Sequence, residues 1–433
     1  MTTQTETRFL AALKAREAFL EDLFESYLEI SRDVEGVTRP AWGEVEEEGL
    51  NRFAAIGHEL GLEVEKDELG QIFMTLPGTD RHLPQILIGS HFDSVRRGGH
   101  YDGYAGVVTA LGTLAAMVDA GIRPRRDITL IGMRGEESPW YGIAYVGSRF
   151  TTGDLGWAEM EGLSRIDTGK PFLEHVRMLG YDTEAVKARA GTPRITAQNT
   201  AAYMELHIEQ GPVLENAGVS TAFATAIRGN VRFPEVICRG VYSHASATPY
   251  DYRFDTVLAC AEVLHRFDLW WQDQMADGAE DSVLTVGRIH TDADREAMTI
   301  IAGECRFAFN FGSTRQEVID AGIAQLKALM DEVGARKRVT FQLGRQAGSV
   351  PQPLDPGVRQ ALATAAADVG QTSMEFAAGG HDAGMFAKAG IASALIFVRN
   401  QNGSHNPDEA MEYPHFHDAT RVYGLTALRL AER

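Results

Sequence analysis

Apolar residues recur along this chain with two distinct periods, and the alternation of those periods predicts its organisation. Residues 8–33 and 45–60 repeat apolar side chains every three to four positions, the spacing of amphipathic helices. From about residue 83 the pattern becomes strand, loop, helix. QILIGS is followed by a polar glycine-bearing loop and then by GYAGVVTALGTLAAMVDAG, a helix apolar on all sides that should end at Gly121. DITLIGM, AAYMELHI and ASALIFV are short, nearly continuous apolar runs, as expected of strands buried on both faces of a mostly parallel sheet covered by helices.

The segment from about 229 to 333 has a different rhythm. NVRFPEVICRGVY, DTVLACAEVLHRF, SVLTVGRIH, TIIAGECRFAFNF and QEVIDAGIAQLKALMDEV read as strand, helix, strand, strand, helix, with VTFQLG as a closing strand. This predicts an α/β protein with a mostly parallel sheet in residues 1–228 and 334–433. A small α+β layer of order βαββαβ would be inserted at 229–333.

Several apolar runs of the larger domain stop at a polar turn carrying a metal-ligand side chain. His91, Asp93 and Asp102 follow QILIGS, Glu136 and Glu137 follow DITLIGM, His207 ends YMELHI, and His405 follows ASALIFV. Open α/β sheets present their chemistry at the carboxyl ends of strands. Taken singly, an HxD pair, an EE pair or a lone histidine is commonplace. Together they suit a dinuclear centre, with Asp102 offering two oxygens to two cations and one of the adjacent glutamates left over as a base for a metal-activated water. Asp93, two residues beyond His91, is placed to accept the imidazole N–H that faces away from the metal.

Composition narrows the function further. The chain has 433 residues, enough for about two domains, and a formal charge of −19 that argues against nucleic acid or an anionic membrane as partner. Its N-terminal stretch carries charges throughout and lacks the apolar core of a secretory signal, and no run is long enough to span a bilayer. Cys238, Cys260 and Cys305 show no CxxC spacing and read as reduced core thiols. A cytoplasmic protein is expected.

The segments GSHFDSV, GGHYDGYAGV, RGEES, ELHIEQGPVLE, SHASATP, GGHDAGMF and GSHNPDE, in this order, resemble a branch of the dinuclear-zinc aminoacylase and carboxypeptidase-G superfamily. That branch holds the N-carbamoyl-L-amino-acid hydrolases, allantoate amidohydrolases and β-ureidopropionases. The resemblance implies two divalent cations per subunit, Zn2+ first among them, with Mn2+, Co2+ and Ni2+ compatible with N/O ligands. His91 and His207 would hold one, Glu137 and His405 the other, with Asp102 bridging and Glu136 as general base. It also implies a homodimer in which His244 of the inserted domain reaches across to stabilise an oxyanion. Gln210, Arg253, His381, Thr299 and Gly312 would line the substrate site.

The same resemblance exposes a departure. Relatives carry a segment like NVIPGExRFxxDIR whose Asn and Arg grip a substrate carboxylate, and here Thr299 and Gly312 stand at those two positions. Trp140 and Tyr141 after the glutamate pair are expected to add aromatic bulk near the site. The sequence therefore predicts an amidohydrolase acting on linear C–N bonds, with N-carbamoyl or ureido compounds favoured but their carboxylate clamp altered. An acyl-amide or aminoaryl hydrolase, a metallo-dipeptidase or aminopeptidase, and a non-catalytic binding protein on the same fold are the alternatives.

Overall fold

The computed structural model describes residues 3–279 and 281–433. The chain divides into two compact units. The first takes in the residues up to Thr225 together with Leu354–Phe376 and His381–Arg433; the second is Ala226–Pro353 with Ala377–Gly380.

The first unit is built on a mixed sheet whose four central strands are parallel, in the order Ile128–Met133, Gln85–His91, Thr200–Ile208, Ser393–Val398. Antiparallel strands flank them, Ile72–Leu76 on one side and Thr221–Ile227 on the other. Ile128–Met133 and Ser393–Val398 are buried at every position, which is why they read as unbroken apolar runs. The helix Tyr104–Asp119 connects Gln85–His91 to Ile128–Met133, and 14 of its residues are buried, as its all-round apolarity requires.

The order of the strands opens a site. From Gln85–His91 the chain passes to the neighbour on one side, Ile128–Met133, and later returns to the neighbour on the other side, Thr200–Ile208. That reversal leaves a crevice beyond the carboxyl ends of these strands, where open α/β sheets bind ligands.

The second unit is an antiparallel sheet ordered Ile289–Thr291, Glu304–Ser313, Gly229–Arg239, Thr340–Leu343. Gly229–Arg239 alternates in burial with the period of a half-covered strand. Phe307, Phe309 and Phe311 share a core with Val263 and Phe267 of the helix Thr256–Ala276 and with Leu326 and Met330 of the helix Gln316–Lys337.

Several details differ from the sequence pattern. Residues 8–33 form two helices, Thr3–Ala15 and Glu17–Ser31, separated at Arg16. SVLTVGRIH splits into Val283–Thr285 and Ile289–Thr291, with Gly287 between them. The second unit extends beyond the predicted boundary at 333 to Pro353, because Thr340–Leu343 and Ala347–Ser349 both pair with Gly229–Arg239. Among the described residues no helix is long and apolar enough to cross a membrane.

Candidate metal centre and active site

His91 is the last residue of its strand and His207 the penultimate residue of the adjoining one, so the two imidazoles straddle the crevice. Both are buried, and their Nε2 atoms lie 3.4 Å apart. Each turns Nδ1 to a backbone carbonyl: His91 to Asp93 and His207 to Ile208, both at 3.0 Å. An Nδ1–H donated to a carbonyl leaves the Nε2 lone pair facing the crevice, the arrangement a metal-ligating histidine needs; at His207 that lone pair also meets the Gly103 N–H at 3.1 Å.

Asp102 faces them from the loop ahead of the central helix. Its Oδ1 is 3.2 Å from His207 Nε2 and 3.5 Å from His91 Nε2. Its Oδ2 is 3.5 Å from His405 Nε2, which is itself 3.3 Å from Glu137 Oε1. Two clusters result, His91–Asp102–His207 and Asp102–Glu137–His405, each able to bring three ligand atoms within 4.8 Å of one another. Glu137 Oε1 is buried and faces the His405 imidazole, its Nε2 3.3 Å away. Desolvated carboxylates are costly unless positive charge meets them, and two groups of His and carboxylate ligands that share Asp102 fit two divalent ions. Glu136 belongs to neither cluster; its Oε2 lies 4.0 Å from His91 Nε2.

The supports are specific. Asp93 makes its tightest contact with His91 through its backbone oxygen, its carboxylate standing 3.4 Å from Nδ1. That carboxylate also accepts the backbone N–H groups of Glu136 and Glu137, at 3.2 and 3.1 Å, and so ties the glutamate loop to the His91 loop. Gly103 has φ +65°, and a Cβ there would come within 2.4–2.5 Å of the His91 ring, so this position admits only glycine. Buried Arg39 donates to the carbonyls of Phe92, His100 and Asp102, holding both loops from beneath.

Burial, with the charges of Glu137, Asp382 and Asp93, pushes the Glu136 carboxyl well above its ordinary value against the pull of His91. Burial likewise raises Glu137. Burial opposes the charge on Asp102, yet His207, His405 and His91 hold that carboxyl well below the usual range. Hydrogen bonding to Asp102 and Glu137 lifts His405 to about 11.

Other expected residues fall in varied places. Gln210, at φ +65°, donates its amide to Asp102 Oδ2 at 2.7 Å. The His381 ring packs against His207, centroids 4.4 Å apart. In the second unit, His244 is exposed and accepts the N–H groups of Ser246 and Ala247 at Nδ1, which leaves Nε2–H as an outward donor. Its strand pairs with Ile300–Ile301, and Thr299 O accepts Ala245 N–H beside it. Arg253 braces this turn, donating to the carbonyls of Ala245 and Thr248. Gly312 is buried within the sheet opposite Asn230.

One expectation is corrected. Trp140 and Tyr141 are 3% and 5% exposed and offer no surface to a substrate. Trp140 Nε1 donates to Ser94 O at 2.8 Å, and both rings sit in a satellite core with Trp42 and Phe172.

Besides Arg39, three supporting charged groups are invisible to sequence reasoning. Glu205 accepts Ser90 Oγ and Ala383 N, each at 2.8 Å. Arg134 pairs with Glu46 and Glu47 at 2.6–2.7 Å. Glu409 accepts the Tyr101 N–H at 2.8 Å and faces Ser404 Oγ at 2.5 Å. A charged residue inside an apolar strand, as Glu205 is, was the available signal.

The chain matches the model of Peptidase family M20/M25/M40 over residues 76–429. It is 29% identical over 411 residues to the N-carbamoyl-L-amino-acid amidohydrolase of Paenarthrobacter aurescens, spanning 94% of this chain and 97% of that protein. It is 28% identical to the allantoate amidohydrolase of Escherichia coli (strain K12), over 92% of this chain and 93% of that one. Among solved structures, an amidase of the hydantoinase/carbamoylase family from Burkholderia multivorans superposes with a TM-score of 0.87 at 25% identity, covering 96% of this chain and 98% of its own.

Metal loading must displace the proton of His405, which is raised to about 11, because only a neutral imidazole ligates. At pH 7, binding should release about one proton or more per chain, and affinity should rise with pH. Calorimetry in two buffers of different ionisation enthalpy reads this directly. Asp102→Ala should lower stoichiometry from about two cations per chain; retention of both would remove the shared-ligand role.

Proposed function

This chain belongs to Peptidase family M20/M25/M40, and from that membership we propose that it is a metal-dependent amidohydrolase cleaving a linear C–N bond in an N-carbamoyl or ureido-type small molecule. The observation that carries the reading is the pair of ligand clusters joined by Asp102, with a carboxylate, Glu136, left outside both and only 11% exposed at its side chain. Near-full-length similarity to two amidohydrolases supports C–N rather than peptide bonds.

When bound, two divalent cations, Zn2+ first among the candidates, would acidify a water molecule and polarise the substrate carbonyl. His91, His207, Glu137 and His405 would hold them, and Asp102 would face both. Glu136 takes the proton of the attacking water as its oxygen adds to the carbonyl carbon, then returns that proton to the leaving nitrogen as the C–N bond breaks. Asp93, by fixing the backbone of both glutamates, keeps the base apart from the ligand beside it. His244, with Nε2–H directed outward, suits an oxyanion donor. Its place of action in this proposal is the site of a partner subunit, in a cytoplasmic homodimer.

The substrate end is altered. A Cβ on Gly312 would lie 2.8 Å from Gly229 O and 3.3 Å from Val283 Cγ2, so the strand position that carries the relatives' arginine is closed here by backbone as well as by side chain. Arg306 is committed to Glu235 and Glu304, and Arg288 donates to Pro234 O. With Trp140 and Tyr141 buried, Tyr250, 80% exposed, is an aromatic side chain near His244 in sequence that remains open to a ligand. We therefore favour a substrate without a conventional α-carboxylate.

Glu136→Gln should keep its cations and lose roughly 10²–10⁴-fold in turnover, the range for a lost general base, whereas Glu137→Gln should lose metal. Exchanged phenotypes in metal analysis and steady-state kinetics would reverse the two assignments. Mixing inactive His244→Ala and Glu136→Gln chains should recover part of the activity through heterodimers; no recovery despite proven subunit exchange would confine His244 to its own chain or remove it from catalysis.

Simple N-carbamoyl-α-amino acids should be poor substrates relative to ureido or acyl compounds lacking the carboxylate, by roughly 10–150-fold for each charge-assisted hydrogen bond absent. Efficient hydrolysis of N-carbamoyl-alanine in a substrate panel would refute the altered clamp. The replacement to test would then be Arg399, whose Nε is buried without a partner among the described residues.

A further inference from the structure

Asp102 Oδ2 has two lone pairs, and three groups crowd it, His405 Nε2 at 3.5 Å among them. Gln210 Nε2 donates to it at 2.7 Å and Ser404 Oγ stands at 2.7 Å. A cation in the Asp102–Glu137–His405 cluster needs one of those lone pairs; the single Ser404 proton can turn to Glu409 Oε2 instead, so the donor that stands in the cation's way is Gln210. Asp102 Oδ1 faces the Nε2 atoms of His91 and His207, and the donor competing in that pocket is the Gly103 backbone N–H, 3.1 Å from His207 Nε2.

The two donors differ in freedom. Ser404 Oγ is held on its far side by Glu409 Oε2 at 2.5 Å, and Glu409 is anchored by the N–H groups of Tyr101 and Asp102. A Cβ on Gly99 would come within 2.0–2.3 Å of the Glu409 carboxyl, so that group is packed in place. Gln210 is tied at its backbone, where N–H donates to Asn400 Oδ1 at 3.0 Å, while among the described residues its amide rests on Asp102 alone.

We propose that Gln210 is a latch on the bridging carboxylate: the His91–His207 pocket loads first, and the Glu137–His405 pocket loads second, only as the Gln210 amide leaves Asp102 Oδ2. Ser404 and Glu409 are positioning residues that keep Asp102 in register meanwhile. The exposure of His405, 52% for its side chain against 1% for His91 and His207, agrees with a less preorganised second pocket. The released amide is then free to meet substrate, which couples full metal loading to recognition. This rests on the reading that both clusters hold cations.

The test is calorimetric titration of the metal-stripped full-length protein with Co2+, followed in parallel by visible absorption. Two resolved steps are expected, the second roughly tenfold or more weaker. Gln210→Met, which keeps bulk and removes the donor, should tighten the second step by about tenfold, the worth of one charge-assisted hydrogen bond, and leave the first unchanged. His405→Ala should abolish the second step alone. Two indistinguishable equivalents, or a second step unmoved or weakened in Gln210→Met, would overturn the latch. A protein that binds no Co2+ at all would overturn the metal-dependent reading itself.

Discussion

The site is organised by the carboxylate of Asp102, a buried anion whose two oxygens face different partners. Three imidazoles lie within 3.2–3.5 Å of it. A carboxylate removed from water is stable only if surrounding charge and donors replace its hydration, and each neighbour contributes to that. Gly103 lets the chain turn sharply against the His91 ring, Arg39 holds the Asp102 carbonyl, and Gln210 and Ser404 cap the outer oxygen. Loss of any one would leave the anion buried with fewer partners.

That carboxylate site could not be assembled from one stretch of chain. His91 and His207 come from strands that adjoin only because the chain reverses direction across the sheet, and His405 returns after the second unit. Asp93 adds a tie across the strand ends, joining the His91 loop to the backbone of Glu136 and Glu137. A parallel sheet fixes the ends of its strands to within a residue, and loops tied to those ends inherit that order. The separation of the two side chains in the adjacent glutamate pair depends on this rigidity.

Much of this was legible in the sequence because strand ends are marked twice, by the end of an apolar run and by the turn residues after it. QILIGS, DITLIGM, YMELHI and ASALIFV each announced a strand, and His91, Asp102, Glu137, His207 and His405 do gather in space. What stayed hidden was set by packing across long sequence distances. Arg39 lies in a loop with no periodic signal, Glu409 meets Asp102 across 307 residues, and Arg134 meets Glu46 across 88. Trp140 and Tyr141 were misjudged because adjacency to a site residue says nothing about which way a ring turns; here the satellite core around Trp42 and Phe172 took both.

The second unit carries the substrate end of the proposed reaction. Its core helices and strands are regular, and His244 is presented by a short pair with Ile300–Ile301 and braced by Arg253. At Gly312, where the proposed change of clamp lies, the sheet leaves little room for a side chain. A single change back to arginine there would have to displace the Gly229 carbonyl, a backbone atom that cannot swing aside as a side chain does. Val283 also packs against this position, so the room at Gly312 is set by the packed sheet rather than by one residue. Specificity of this kind is hard to reverse by point mutation, because a bidentate contact needs both the guanidinium and a path for its stem.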